Sequence, residues 1–573
     1  MYQKILLTFA VMKSTSVFRD VLFWVLAALL VLLFVPWLGD TLFNTKGEPR
    51  EAIVALSMVQ SGDYILPVSF GTDIAYKPPM LAWLIVGASW LSGGVTEFAS
   101  RLPSALATIA MLLTVFAFFR REHGAKVGFM TALITATSFE VFRAATACRV
   151  DMVLTAAMVC AMICMYRGGW LRMATGVLLM SVAVLTKGPV GMVLPCLVVG
   201  VYRLLRGERF WPTFGKLALA GTASLVLPAL WYAAAYERGG EVFLRLAMEE
   251  NFGRMTGTMS YDSHVNPFYY NFITVASGML PYTLLALFSL FAVKWAKPRW
   301  PGFRTLLEKA RKADPSTLFS IVTTVVVFVF YCIPKSKRSV YLLPIYPFLG
   351  YFVTQLILWL IRRDSKALTV YGAIIGAVGL LISQVYLLIL CGIPLGGNQF
   401  LQGIANADLG FFSSCLAFIP CAGLEILLSL KRPRNWQAVA TLAVTYLIYL
   451  SLGAAYLPAV LNTKSDQPIA RVIETKAPKE SPVYMYVDDP MLRYYTVNFY
   501  LGDRLRLFEI PEGSATLREK QELPADGYVL VGEQEVATLA ERYPGYSFEE
   551  VYRGDRKSCD TRRVPTLQRF SRR

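Results

Sequence analysis

Met80-Leu81-Ala82-Trp83-Leu84-Ile85-Val86-Gly87-Ala88-Ser89-Trp90-Leu91 is the stretch on which the fold turns. It is apolar enough to be taken for a membrane crossing, yet spanning a hydrocarbon core of roughly 30 Å takes about 20 residues. The loops on either side decide the matter. Basic residues collect at Arg120, Arg121 and Lys126, at Arg167 and Arg172, and at Arg203, Arg206, Arg209 and Lys216. They collect again from 294 to 312, at Arg362, Arg363 and Lys366, and at Lys431, Arg432 and Arg434. By the positive-inside rule these loops are cytoplasmic. Their alternation with outward loops works only if 80–91 does not cross. Residues 40–101 then form one large external loop with interfacial helices.

The rest of the composition fits a membrane chain. Of 573 residues 55% are hydrophobic and 17% charged, and the mean hydropathy is +0.49, which excludes an ordinary soluble globule. Lys4, Lys13 and Arg19 precede the apolar run 21–38, which is too long for a signal peptide and lacks a small-residue cleavage site. It reads as a retained first span. About 13 spans follow from the pattern, near 20–38, 102–119, 127–142, 151–166, 170–186, 188–205, 217–236, 268–293, 317–333, 339–361, 368–391, 409–430 and 436–460. Of the nine cysteines only Cys559 falls in the polar tail, so neither a disulfide framework nor a cysteine metal site is implied. The net charge of +17 is spread over short loops rather than along one stripe, which speaks for topology and against nucleic acid.

After residue 462 the apolar runs stop. The tail, 463–573, alternates strand-like runs (483–487, 504–508, 528–531) with helical patterns (491–500, 534–542), as a small external α/β domain would. It carries no histidine and no glycine-rich phosphate loop, and reads as a structural or docking cap. The fold class is therefore an all-α polytopic bundle over 1–462 with a small α/β extracytoplasmic domain.

The informative charges break the topology rule. Lys77, Arg143, Arg149, Lys187, Arg254, Lys335, Lys337 and Arg338 all fall in outward loops, where a cation carries a topological penalty. Arriving on one membrane face from distant segments, they can converge on a phosphate, Lys as a point charge and Arg bidentately; lipid headgroups are the plainer partner for any one of them. Carboxylates share that face: Glu48, Glu51, Asp63, Asp73, Asp151, Glu249, Glu250 and Asp262. Asp151 opens an apolar run just after Arg149, either as the N-cap of the span or as a functional group. Pro49 fits the first turn of a helix, which sets Glu48 near its positive end. Lys77 precedes two prolines and so sits on extended backbone.

Taken in order, the motifs resemble the GT-C superfamily of lipid-sugar-dependent glycosyltransferases, in the branch of the lipid A aminoarabinose transferases and protein O-mannosyltransferases. The resemblance runs from 21 to about 361. It rests on Gly47-Glu48-Pro49-Arg50, Ser61-Gly62-Asp63, Tyr76-Lys77-Pro78-Pro79, Glu97-Phe98-Ala99-Ser100-Arg101-Leu102-Pro103, Arg149-Val150-Asp151, Thr186-Lys187-Gly188, Glu250-Asn251-Phe252-Gly253-Arg254, His264-Val265-Asn266-Pro267, and Pro334-Lys335-Ser336-Lys337 followed by Tyr341-Leu342-Leu343-Pro344. The resemblance implies an inverting transfer of one sugar from an undecaprenyl-phosphate-type donor to a glycolipid, another glycan or a protein, at the outer face of a bacterial inner membrane.

Carried over to this chain, Lys77 would bind the donor phosphate, with Arg254 and Lys335 or Lys337 as further candidates. Asp151 matches a second acid of the family site. His264 matches a histidine that helps bind a divalent metal ion. Arg50, Tyr76, Arg149, Lys187 and Tyr341 complete the candidates, and Glu48 or Asp151 would be the base. Two departures stand out. Gly47 replaces the usual first aspartate, which leaves Glu48 to serve. Tyr76 replaces a common glutamate, which removes the acid that would join His264 around a metal. A transporter or lipid flippase is the reading from another class, but inverted repeats and midplane ionisable groups, its usual signs, are not evident.

Overall fold

The helix Gly47–Ser61 begins the arrangement that shapes the candidate site. Pro49 lies in its first turn, and Gly62 ends it in the left-handed region (φ 70°), a conformation that costs glycine nothing. A two-stranded ribbon follows, β1 Val68–Ser69 against β2 Asp73–Ile74. Next comes the helix Met80–Ser92. Its 13 residues rise about 20 Å at 1.5 Å each, too short to cross a bilayer core. The stretch on which the sequence reading turned is a short helix of the first loop.

The computed structural model describes residues 17–250, 265–293, 303–391, 420, 423–424, 427, 432–489, 492–510 and 523–573. Among these, eight helices are long and apolar enough to cross a membrane, or up to ten if each of two bent pairs counts as one span. The expected thirteen is not reached, and there are three reasons. The helices Val21–Phe34 and Val190–Leu205 are shorter than a full crossing. Two expected single spans are bent, Ala125–Ala136 with Phe139–Ala145 by 71° and Tyr270–Gly278 with Tyr282–Ala292 by 104°. Most of the expected span 409–430 lies outside the described residues.

The two bends meet. The Phe139 amide donates to the Leu280 carbonyl (3.0 Å), and the Thr137 and Tyr282 hydroxyls lie 2.5 Å apart. Backbone groups freed at one break are thus satisfied at the other, as an apolar interior requires.

The tail forms a five-stranded sheet in the order β4-β3-β5-β7-β6, built from β3 Val483–Tyr486, β4 Leu505–Leu507, β5 Asp526–Gly532, β6 Tyr546–Arg553 and β7 Pro565–Arg572. β3 runs parallel to β4 and β5, while β7 runs antiparallel to β5 and β6. The first three follow the expected runs, and β6 and β7 are additional. The tail also shares a hydrophobic core with the first loop: Phe43, Ala52, Ile53, Met58 and Ile85 pack with Ile473, Met485, Val497 and Leu505. Polar ties reinforce the seam. Asp503 accepts from the Ser57 hydroxyl (3.1 Å) and the Phe70 amide (2.9 Å), and Arg493 pairs with Asp73 (3.2 Å).

Candidate active site

Between the start of the first-loop helix, Lys77 and the spans behind them lies a cavity of about 210 Å³. Five cations line it, Arg50, Lys77, Arg149, Lys187 and Arg338, against three acids, Glu51, Asp151 and Glu250, with Tyr331 and Tyr341 as aromatic wall. Arg50 Nε and Ser336 Oγ, both on this lining, are buried without a hydrogen-bond partner among the described residues. Buried donors are nearly always satisfied, so two orphans in one cavity mark a place shaped for a polar ligand.

Each cation is held by local structure. Lys77 leaves the chain just before Pro78 and Pro79, which start the helix Met80–Ser92, and its ammonium lies 3.7 Å from Glu250. Lys187 ends the helix Trp170–Lys187, pairs with Asp151 at 2.5 Å, and sits over the Tyr341 ring (4.7 Å). Asp151 is not the N-cap. That position is Arg149, and Asp151 follows in the first turn of the helix Val150–Arg167 with its carboxylate given to Lys187.

Arg149 shows how full the cavity is with positive charge. Burial first, then the neighbouring Arg50 and also Arg338, outweigh Asp151 and Glu51 and push its pKa down. The guanidinium remains charged, so an anion is the missing complement. It also lies against Gly47. A Cβ there would sit 1.7 Å from an Arg149 terminal nitrogen, so the absent side chain at 47 is the room that Arg149 fills.

A second cavity of about 580 Å³ lies alongside and shares Arg149, Asp151 and Arg338 with the first. Arg101, Arg143 and Lys337 add charge, while Leu33, Phe34, Trp37, Phe142, Leu452, Leu457 and Leu461 give it a long apolar wall. Arg143 is occupied by Glu140 (2.6 Å).

Several sequence candidates prove differently placed. Glu48 lines the second cavity only. Its carboxylate is gripped by Arg101 in a two-point pair (2.8 and 3.1 Å) and accepts from the Cys148 amide (2.9 Å). Burial alone would raise its pKa; Arg101 and that amide outweigh burial and hold it below the ordinary value. Arg101 Nη1 donates to the Leu38 and Thr41 carbonyls. Glu48 thus fastens the loop to the mouth of the helix Glu97–His123.

Lys335 is exposed and lines neither cavity, and Lys337 donates to the Pro334 (2.7 Å) and Asn266 (3.3 Å) carbonyls. Arg338 faces both cavities in their stead. Arg254 and His264 lie outside the described residues. Tyr76 brings no carboxylate for a metal. The one grouping of potential metal ligands among the described residues is Asp466, Cys559 and Asp560 in the tail, which could hold an ion and lines neither cavity.

Residues 76–232 match the family model described as dolichyl-phosphate-mannose-protein mannosyltransferase. An uncharacterized protein of Aquifex aeolicus is 30% identical over 318 residues, 53% of this chain and 58% of that relative. The undecaprenyl phosphate-alpha-4-amino-4-deoxy-L-arabinose arabinosyl transferase of Edwardsiella ictaluri is 26% identical over 461 residues, 78% of each chain. The crystal structure of ArnT from Cupriavidus metallidurans bound to undecaprenyl phosphate is similar over 96% of this chain and 98% of that one, with a TM-score of 0.69 at 23% identity.

Proposed function

We propose that the chain is an ArnT-like glycosyltransferase, which its similarities support, and that it moves one sugar, with inversion, from a polyprenyl-phosphate donor to an acceptor at the outer face of the bacterial inner membrane. The observation that carries this reading is the first cavity, where five cations from separate segments surround a small volume that still holds two unpartnered donors. A relative of matching length is named for an undecaprenyl-phosphate donor, and a protein of the same fold was crystallised with undecaprenyl phosphate.

Breaking the anomeric C–O bond loads negative charge onto the departing phosphate. Cations fixed beforehand around that charge lower the barrier without reorganising. Lys77 is the main clamp, with Arg50, Arg149 and Arg338 around it. Lys187, bound to Asp151 and stacked on Tyr341, braces the wall rather than gripping the phosphate. The second cavity takes the body of the acceptor, its apolar wall suiting a lipid chain, while the reacting hydroxyl reaches past the shared wall of Arg149, Asp151 and Arg338 into the first cavity. Residues after 462 cap the external loop. Tyr76, standing in place of an acid, leaves His264 without the carboxylate that would join it around a metal.

The test is transfer by the purified protein in liposomes, supplied with undecaprenyl-phosphate-linked sugars and envelope lipid. Wild-type protein should release undecaprenyl phosphate, and Lys77→Ala should abolish this while unfolding at the same temperature. Near-normal turnover in that variant would refute the assignment. Mass spectrometry of envelope glycolipids and glycoproteins with and without the protein identifies the sugar and the acceptor.

A further inference from the structure

The carboxylates around the two cavities are not equivalent. Glu48 is locked to Arg101 and absent from the first cavity. Asp151 has Lys187 at 2.5 Å, and a proton placed on it would strand that ammonium in a largely buried spot. Glu250 faces Lys77, the phosphate clamp. Glu51 is also ion-paired, to Arg50 at 2.9 Å, but that partner's side chain is 39% exposed, against 23% for Lys187 and 3% for Arg101, so a proton on Glu51 strands less charge in the interior. It stands one helical turn after Gly47, so positions 47 and 51 share a face of the first-loop helix. It lines the first cavity, and its single hydrogen-bonded contact is the adjacent Arg50, which engages Oε1 at 2.9 Å; Oε2 accepts from no described residue. At position 47 itself no acid can act, since Arg149 fills that space.

We infer that Glu51 is the catalytic base of this chain, one turn along the helix from the position where the resembling family carries its first aspartate. The inference rests on the transferase reading above. In the step, the acceptor hydroxyl oxygen bonds to the anomeric carbon. The anomeric C–O bond to the phosphate breaks, its electron pair leaves with the polyprenyl phosphate, and the hydroxyl proton passes to Glu51. Burial by itself would raise the Glu51 pKa, but Arg50, Lys77 and Arg149 outweigh it and keep the group ionised. The same cations clamp the phosphate, so donor binding offsets their field and restores basicity to Glu51 when it is needed.

The experiment uses the full chain in liposomes with an undecaprenyl-phosphate-linked sugar, comparing its native acceptor with azide, a nucleophile that has no proton to lose. Glu51→Gln should lower transfer to the native acceptor by at least 100-fold with donor KM within threefold, and keep transfer to azide within about threefold of wild type. Glu51→Asp should recover part of the loss. Equal loss toward both nucleophiles in a variant that unfolds at the wild-type temperature would overturn the role, as would full activity toward the native acceptor. An inactive wild type would instead sink the transferase reading, so the two failures are distinguishable.

Discussion

The two cavities share a wall of Arg149, Asp151 and Arg338, yet they are built for different things. The smaller, about 210 Å³, concentrates charge and holds buried donors without partners. The larger, about 580 Å³, carries the long aliphatic wall and binds the cations it does not share: Arg101 with Glu48, Arg143 with Glu140, Lys337 with backbone carbonyls. Charge left unsatisfied is costly and awaits a ligand, whereas charge satisfied internally is architecture. Cations, and even their partners, number alike in the two cavities; the unpartnered Arg50 Nε and Ser336 Oγ of the smaller one separate them among the described residues.

The largest break in that comparison comes from the architectural side. Arg101→Met strands the buried Glu48 carboxylate and should remove about 3–5 kcal/mol of stability, seen as a lower unfolding temperature in detergent and poor yield. Arg149→Ala acts on the shared wall and should weaken donor and acceptor together, each KM rising roughly 10- to 100-fold for about 1.5–3 kcal/mol of charged hydrogen bonding; an effect on one substrate alone would show that the wall is not shared in use. Leu457→Trp fills the apolar side and should raise acceptor KM roughly tenfold for about 1–2 kcal/mol of overpacking, with donor KM unchanged. Gly47→Ala should be mildest for folding, since the Cβ meets the far end of a flexible side chain. It should still slow transfer a fewfold by displacing Arg149.

Much of this was legible in the chain. Pro49 placed the helix start, and the loop charges demoted 80–91 from span to surface helix. Lys77 and Asp151, both picked out by their place in outward loops, line the first cavity. Other features were hidden for physical reasons. The rule that found Lys335, Lys337 and Arg338 says which side of the membrane they occupy, not which of three neighbours turns inward, and Arg338 is the one facing both cavities. The sequence exposes the missing acid at 47, but not that a guanidinium 102 residues later fills the gap. β6 escaped because Tyr546–Arg553 is half exposed and carries Glu549 and Glu550 at its centre, so no apolar run announces it.

The seam between the first loop and the tail sets a schedule for biosynthesis. Ser57 meets Asp503 across 446 residues, and the Phe43 amide donates to the Tyr500 hydroxyl across 457. Contacts so remote in the chain form late, after every intervening helix has been inserted. The helix that carries Arg50 and Glu51 emerges among the first segments from the ribosome and packs on Leu81 and Ile85 nearby, yet completes its core only when the final stretch arrives. A chain ending before the sheet would hold every residue that lines the two cavities, yet leave the helix that carries Arg50 and Glu51 without part of its cover.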